Sequence, residues 1–161
     1  MPKQHYRLDN YEMANSVGFL LKSALRSLKA RHETRFATVG LTFQQWIVLS
    51  HVRNGIALTV AALSRKTQYD SGAMTRLIDQ LEKRGLIERQ RSSKDRRIVG
   101  LKLTKEGQKT VTALQPLVLD TLNEALEGFT RQEVTDLEDY LRRIAARWSD
   151  AETASSVDGT P

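Results

Sequence analysis

The chain contains no cysteine. That absence excludes disulfides, thiolate metal sites, thiol nucleophiles and any thiol-based peroxide sensor. Proline is scarce, at 3 residues, and aromatic side chains make up only 6% of the sequence. No apolar run approaches the roughly 18 residues that span a bilayer. The opening stretch from Met1 to Tyr11 is polar and lacks the apolar centre of a signal peptide. A cytoplasmic location with no membrane partner is therefore expected. Catalytic signatures are missing as well. There is no G-x-S-x-G, no P-loop, no H-E-x-x-H and no paired carboxylates in a glycine-rich setting, so no enzyme is expected. The histidines His5, His32 and His51 share no helical face, which argues against a metal site, and no cofactor is expected.

What is present is a core-forming and basic sequence. Of 161 residues, 40% are hydrophobic and 27% charged, enough for one compact domain, or for one domain with an oligomerisation extension. The formal net charge is +6, unevenly distributed: +5 over residues 1–58, +7 over 59–109 and −6 over 110–161. Concentrated Lys and Arg attract a polyanion by Coulomb force and counterion release. The alternative is a solvated basic surface, so charge alone makes nucleic acid only the leading option.

Hydrophobic periodicity then divides the chain. Val17, Leu20, Leu21, Leu25 and Leu28 recur at helical spacing and predict a helix from Asn10 to about Thr38, ended by Gly40. Thr42 with Gln45 predicts a capping box, and Leu41 with Trp46 a hydrophobic staple, for a helix that stops near Asn54-Gly55. Thr59 caps a short helix, Val60 to Lys66. After a tight connection, Asp70 caps a longer one, Ser71 to Arg84, closed by Gly85. In the latter, Met74, Leu77, Ile78 and Leu81 form the inward stripe, while Ser71, Thr75, Arg76, Asp79 and Gln80 form a polar outer face.

A short helix, a tight turn and a second helix with a short-chained polar face make a helix-turn-helix, the element that reads base edges in a major groove. Leu86–Arg91 and Ile98–Leu103 follow as strands around the polar loop 92–97, completing a winged helix. Thr104 caps a long helix with Val111, Leu114, Val118, Leu122, Ala125 and Phe129 on one side, expected to kink at Pro116. Thr130 and Glu133 form a second capping box, with Phe129 and Val134 as staple. The last helix carries Val134, Leu137, Leu141, Ile144 and Trp148.

The expected fold is mainly α with a small β-hairpin wing: a winged helix-turn-helix with N- and C-terminal dimerisation helices. Residues 1–40 are the N-terminal dimerisation helix, with the first ten flexible. Residues 41–103 are the DNA-binding domain, 104–148 the C-terminal dimerisation helices and 149–161 a disordered tail. The unit's own core (Leu49, Leu63, Met74, Leu77, Leu81, Leu86 and Leu101) cannot cover the terminal stripes, so a homodimer is the economical solution. The alternative is a monomer with a larger helical core.

The run Asp70-Ser71-Gly72-Ala73-Met74-Thr75-Arg76-Leu77-Ile78-Asp79-Gln80-Leu81-Glu82-Lys83-Arg84-Gly85-Leu86-Ile87-Glu88-Arg89 resembles the recognition helix and first wing strand of the MarR (multiple antibiotic resistance regulator) family. Asp95-Arg96-Arg97 and Leu101-Lys102-Leu103-Thr104-Lys105-Glu106-Gly107 resemble that family's wing and the start of its dimer helix. The resemblance implies a winged-helix homodimer on pseudo-palindromic double-stranded operator DNA, usually as a repressor. It also implies release by a small, often phenolic or aromatic-acid, effector.

Arg96 matches the family's minor-groove arginine, a guanidinium suited to a narrow, negative groove. Asp95 and Arg97 are expected to shape the wing as an ion pair, with Arg97 also near phosphate. Ser71, Thr75, Arg76 and Gln80 are candidates for base-edge or phosphate contacts, although Arg76 could instead pair with Asp79 or Gln80. Arg65, Lys66, Arg89, Arg91 and Lys94 read as phosphate contacts.

For the effector, Trp46 matches a position where hydroxyphenylacetate-sensing members use a tryptophan. Phe43 stands where that subgroup has an acidic residue, and Ser50 where it has an arginine. An aromatic or lipophilic ligand suits Trp46, Phe43, Leu28 and His32; the alternative is that Trp46 only staples its helix. His32 and His51 could donate to a ligand carboxylate. The competing function is an effector-independent, nucleoid-type architectural protein, with a steep salt dependence and little sequence discrimination.

Overall fold

The structure is a computed structural model that describes residues 4–91 and 99–155, with side chains for 4–90 and 99–147. Among the described residues the order is a 3-10 turn (Met13–Asn15), then α1 (Val17–Ala37), α2 (Phe43–Arg53), α3 (Val60–Thr67), α4 (Ser71–Lys83), β1 (Ile87–Arg91), β2 (Val99–Leu103), α5 (Lys105–Ala125) and α6 (Arg131–Ser155). This is the expected mainly helical chain with one small hairpin. It divides into two compact units, Met1–Leu122 and Asn123–Pro161.

Local hydrogen bonding sets most helix starts. Thr42 Oγ1 accepts from Gln45 N–H at 3.1 Å, and Gln45 Oε1 accepts from Thr42 N–H at 3.0 Å, so the expected capping box is complete. Thr59 and Asp70 accept from Ala62 N–H and Ala73 N–H, at 3.1 and 2.8 Å. Each such cap is worth about 1 kcal/mol. Between α3 and α4, Gln68 adopts a left-handed conformation (φ 52°), which makes the turn tight enough to bring the two helices together. The first helix begins at Val17, the first residue of its apolar series, and not at the expected Asn10. Ser16 accepts from Phe19 N–H and caps α1 at Val17, so residues 10–16, expected to be α-helical, lie outside it and hold only the short 3-10 element Met13–Asn15.

The core of the first unit gathers Phe36 from α1, Val48 and Leu49 from α2, Leu63 from α3, and Met74, Leu77, Ile78 and Leu81 from α4. Leu86, Ile87 and Leu101 extend it into the hairpin, and Val111, Leu114 and Val118 into α5. Every residue expected in the winged-unit core is buried there. Each large side chain contributes roughly 1.5–3 kcal/mol of burial before entropy is counted. The strands pair antiparallel, with Ile87 opposite Leu103 and Arg91 opposite Val99. Leu101 N–H donates to Leu58 O at 2.8 Å, tying the hairpin to the segment before α3.

The start of α5 is locked against the end of α4. Thr104 Oγ1 donates to Gly85 O at 2.6 Å and accepts from Gly107 N–H at 3.0 Å. Gly107 lies so close to Leu86 that a methyl group there would collide with the Leu86 carbonyl oxygen. The buried face of α5 is Gly107, Val111, Leu114, Val118 and Thr121, with Leu122 exposed. This corrects the expected stripe, in which Leu122, Ala125 and Phe129 continue the face: α5 stops at Ala125, and Phe129 sits in the following loop, exposed. The helix continues through Pro116.

In the second unit, Thr130 N–H donates to Glu133 Oε2 at 2.7 Å and Glu133 N–H to Thr130 Oγ1 at 3.3 Å, closing the second capping box at the start of α6. That helix reaches Ser155, past the point where the polar tail was expected to begin. Its Leu137, Tyr140 and Leu141 are exposed.

Candidate nucleic-acid interface

The four buried residues of α4, Met74, Leu77, Ile78 and Leu81, fix which way the helix faces. Ser71, Thr75, Arg76 and Gln80 are consequently turned to solvent on one polar surface. Thr75 Oγ1 donates back to Ser71 O at 2.9 Å, leaving oxygen lone pairs and a methyl group outward. Arg76 makes no ion pair among the described residues. Asp79, its sequence competitor, is engaged elsewhere, and the Arg76 guanidinium passes over Gly72, where a side chain would approach Nη1 to 3.9 Å. Arg65 and Lys66 are exposed in the last turn of α3. Arg91, Lys94, Asp95, Arg96 and Arg97 lie outside the residues whose side chains are described.

Arg89, expected as a phosphate contact, has two partners within the fold. On β1 it reaches back to α4, where Nη2 donates to Asp79 Oδ1 at 2.7 Å and Nη1 donates to Glu82 Oε2. The hydrogen bond to Asp79, opposed by burial and helped by the charge of Glu82, holds its pKa above the usual arginine value. Two carboxylates of α4 offset this cation, and the pairing ties α4 to β1. Sequence spacing carried no signal of this, because the partners sit 10 and 7 residues away across a turn.

A second polar link was also invisible in the sequence. Gln45, 7% exposed, donates from Nε2 to Gln80 Oε1 at 3.2 Å. The N-terminus of α2 is thus joined to the outward face of α4. An open cleft of about 340 Å³ lies alongside, lined by Lys29 and Glu33 of α1, Gln45 of α2, and Arg76 and Gln80 of α4. Glu33 Oε2 accepts from Phe43 N–H at 3.2 Å, which connects α1 to the same helix start.

Three of the residues expected to meet an effector, His32, Phe43 and Trp46, fall into one aromatic cluster between α1 and α2. His32 stacks on Phe43 with ring centroids 4.0 Å apart and planes 8° from parallel, and Phe43 stacks on Trp46 at 5.7 Å and 11°. Phe36, which the sequence reading left out of the set, lies edge-on to His32 and Phe43 and tilted against Trp46. His32 is 3% exposed. Burial first, and Arg35 second, push its pKa below the ordinary histidine value, so the ring is neutral near pH 7. His32 Nδ1, Trp46 Nε1 and Ser50 Oγ are buried without a hydrogen-bond partner among the described residues. Leu28 is half-buried. His51 uses Nδ1 locally, on Ile47 O at 2.9 Å.

Among the described residues no group of three or more His, Asp or Glu side chains could hold a metal ion, and no helix is long and apolar enough to cross a membrane.

A family model described as "MarR family" matches residues 39–98. The organic hydroperoxide resistance transcriptional regulator of Bacillus subtilis (strain 168) is 29% identical over 101 residues, covering 63% of this chain and 69% of that protein. A mutant MarR from E. coli, solved in complex with operator DNA, superposes with a TM-score of 0.71 at 27% identity, over 83% of this chain and 99% of that one. BpsR of Bordetella bronchiseptica, whose DNA binding is regulated by 6-hydroxynicotinic acid, superposes with a TM-score of 0.74 at 24% identity, over 84% of this chain and 96% of that one.

Proposed function

We propose that the chain, which matches the MarR family model over residues 39–98, is a DNA-binding transcriptional regulator of that family and not an enzyme, and that it acts as a homodimeric repressor on a pseudo-palindromic promoter site. Helix α4 lies in the major groove, with Ser71, Thr75, Arg76 and Gln80 toward the base edges and phosphates. Arg65 and Lys66 hold the backbone, and Arg96 on the wing enters the adjacent minor groove, flanked by Arg91, Lys94, Asp95 and Arg97. The observation that carries this reading is the sidedness of α4: four residues sunk in the core, and an unobstructed polar face opposite. A second copy covers the apolar residues left exposed in one chain, Val17, Leu20 and Leu25 on α1 and Leu137 and Leu141 on α6. Two copies place their recognition helices about one duplex turn apart, roughly 34 Å.

A small aromatic or lipophilic effector releases the DNA. It binds at Trp46, Phe43, His32, Leu28 and Ser50. Support comes from the stacked rings and from the buried, unpartnered Trp46 Nε1, His32 Nδ1 and Ser50 Oγ, which a ligand carrying polar groups on an aromatic ring would satisfy. By binding one spacing of the recognition helices better than the other, the ligand shifts the population away from the DNA-competent state.

The test selects bound sequences from a random duplex pool and then screens phenolic acids and lipophilic drugs for displacement from the selected site. One inverted repeat and at least one displacing compound are expected. A steep salt slope with no preferred sequence would instead establish the architectural alternative.

A further inference from the structure

We propose that Gln45 is a positioning residue for sequence readout: it holds the Gln80 side chain so that Gln80 offers its NH2 group, and not its carbonyl oxygen, to the DNA. This rests on the reading of α4 as the recognition helix.

The orientation follows from a chain of obligatory donors and acceptors. The Thr42 backbone N–H can only donate, and it is bonded to the Gln45 side chain at 3.0 Å, so the atom facing it is the amide oxygen. The other end of the same amide, Nε2, can only donate, and it faces Gln80 at 3.2 Å. The atom of Gln80 that receives it must be Oε1. The Gln80 NH2 is left at the far end of the amide, on an exposed residue of the outward face, with no partner among the described residues. Gln45 itself is 7% exposed and held from both sides, since its own N–H donates to Thr42 Oγ1 at 3.1 Å. It is a fixed template, whereas an unrestrained surface glutamine samples both amide orientations.

The consequence is a choice of bases. A free glutamine can engage adenine in bidentate fashion, using oxygen and nitrogen together. With its oxygen turned inward, Gln80 presents donors and suits groove acceptors: guanine O6 and N7, or thymine O4. A capping box is closed equally well by Glu or Gln at this position. Only Gln leaves a donor with which to orient Gln80, which gives the identity of residue 45 a meaning beyond the cap.

The substitution Gln45→Glu separates the two roles. The carboxylate it introduces still accepts from Thr42 N–H and keeps the helix start. It has no donor for Gln80, so the Gln80 amide turns over, donates to the new carboxylate and presents its oxygen to the DNA. The full-length wild type, Gln45→Glu and Gln80→Ala are each put through selection from a random duplex pool, then titrated against the selected site with every single base-pair replacement. Gln80→Ala is expected to flatten discrimination at one position per half-site by roughly ten-fold. Gln45→Glu is expected to move the preference at that same position toward bases that donate in the major groove, cytosine N4 or adenine N6, and to leave other positions unchanged. Circular dichroism and melting confirm that the variant is folded. If it is not, Gln45→Ala replaces it, and the expected result is relaxed preference at that position.

A wild type that enriches no sequence overturns the recognition-helix reading, and this inference with it. An enriched site whose preferences survive Gln80→Ala, or whose Gln80-dependent base is unchanged in the Gln45 variant, overturns the role of Gln45 alone.

Discussion

His32 is neutral because it is buried, and that neutrality has a price in acid. Its pKa in the fold lies below that of the unfolded chain. As pH falls below about 6.5, the unfolded chain takes up a proton that the folded chain refuses, so stability drops until the folded pKa is passed. Urea unfolding at pH 7.5 and 5.5 should show a loss for the wild type that His32→Gln largely removes. Arg89 makes a second prediction at this scale. If Arg65 or Lys66 grips phosphate, replacing either with Ala lowers the salt slope of DNA binding by about one. Arg89→Met should weaken binding and cost about 1 kcal/mol of stability, given its partial exposure, yet leave that slope unchanged. Arg96→Ala should weaken operator binding by roughly 1–3 kcal/mol in a gel-shift titration. Composition announced the basic residues. Which of them were free for DNA was hidden, because Asp79 and Glu82 reach Arg89 only once the hairpin folds back along α4.

At the scale of the element, the most exacting contact is the crossing of α5 over Leu86. Gly107 is the third residue of α5, and in a helix alanine normally improves on glycine by about 1 kcal/mol. Here the added methyl meets the Leu86 backbone, which cannot swing aside as a flexible side chain would. Gly107→Ala should therefore destabilise the protein, by roughly 1–3 kcal/mol in urea unfolding. It should also weaken DNA binding, because Leu86 leads directly into β1. The Leu-Thr-x-x-Gly pattern was visible in the sequence, and Thr104 was legible as a cap; the reason for the glycine was not. Helix starts at Thr42, Thr59, Asp70 and Thr130 were legible because each is decided within three residues of chain. The start of α1 was misjudged: the apolar spacing begins only at Val17, the helix was extended back to Asn10, and Ser16 was passed over as its cap.

For the whole molecule, the exposed apolar residues of α1 and α6 are the outstanding feature of a single chain. Leu137→Asp together with Leu141→Asp should convert a dimer to a monomer in sedimentation equilibrium and abolish high-affinity operator binding, with α4 itself untouched. By itself the sequence determined the helices, their caps, the hairpin and the polar sidedness of α4. The caps are decided within one turn, the sidedness of α4 by a period repeated over a few turns, and the hairpin by two strands that flank one short loop, and such spacings are written along the chain. Tertiary structure alone decided the bracing of Arg89, the stacking of His32, Phe43 and Trp46 around unpartnered polar atoms, and the hold of Gln45 on Gln80. The last of these joins residues 35 apart. No local rule specifies such a pairing: it arises when separate helices bury their apolar stripes against one core and their remaining polar groups must find partners wherever that packing leaves them.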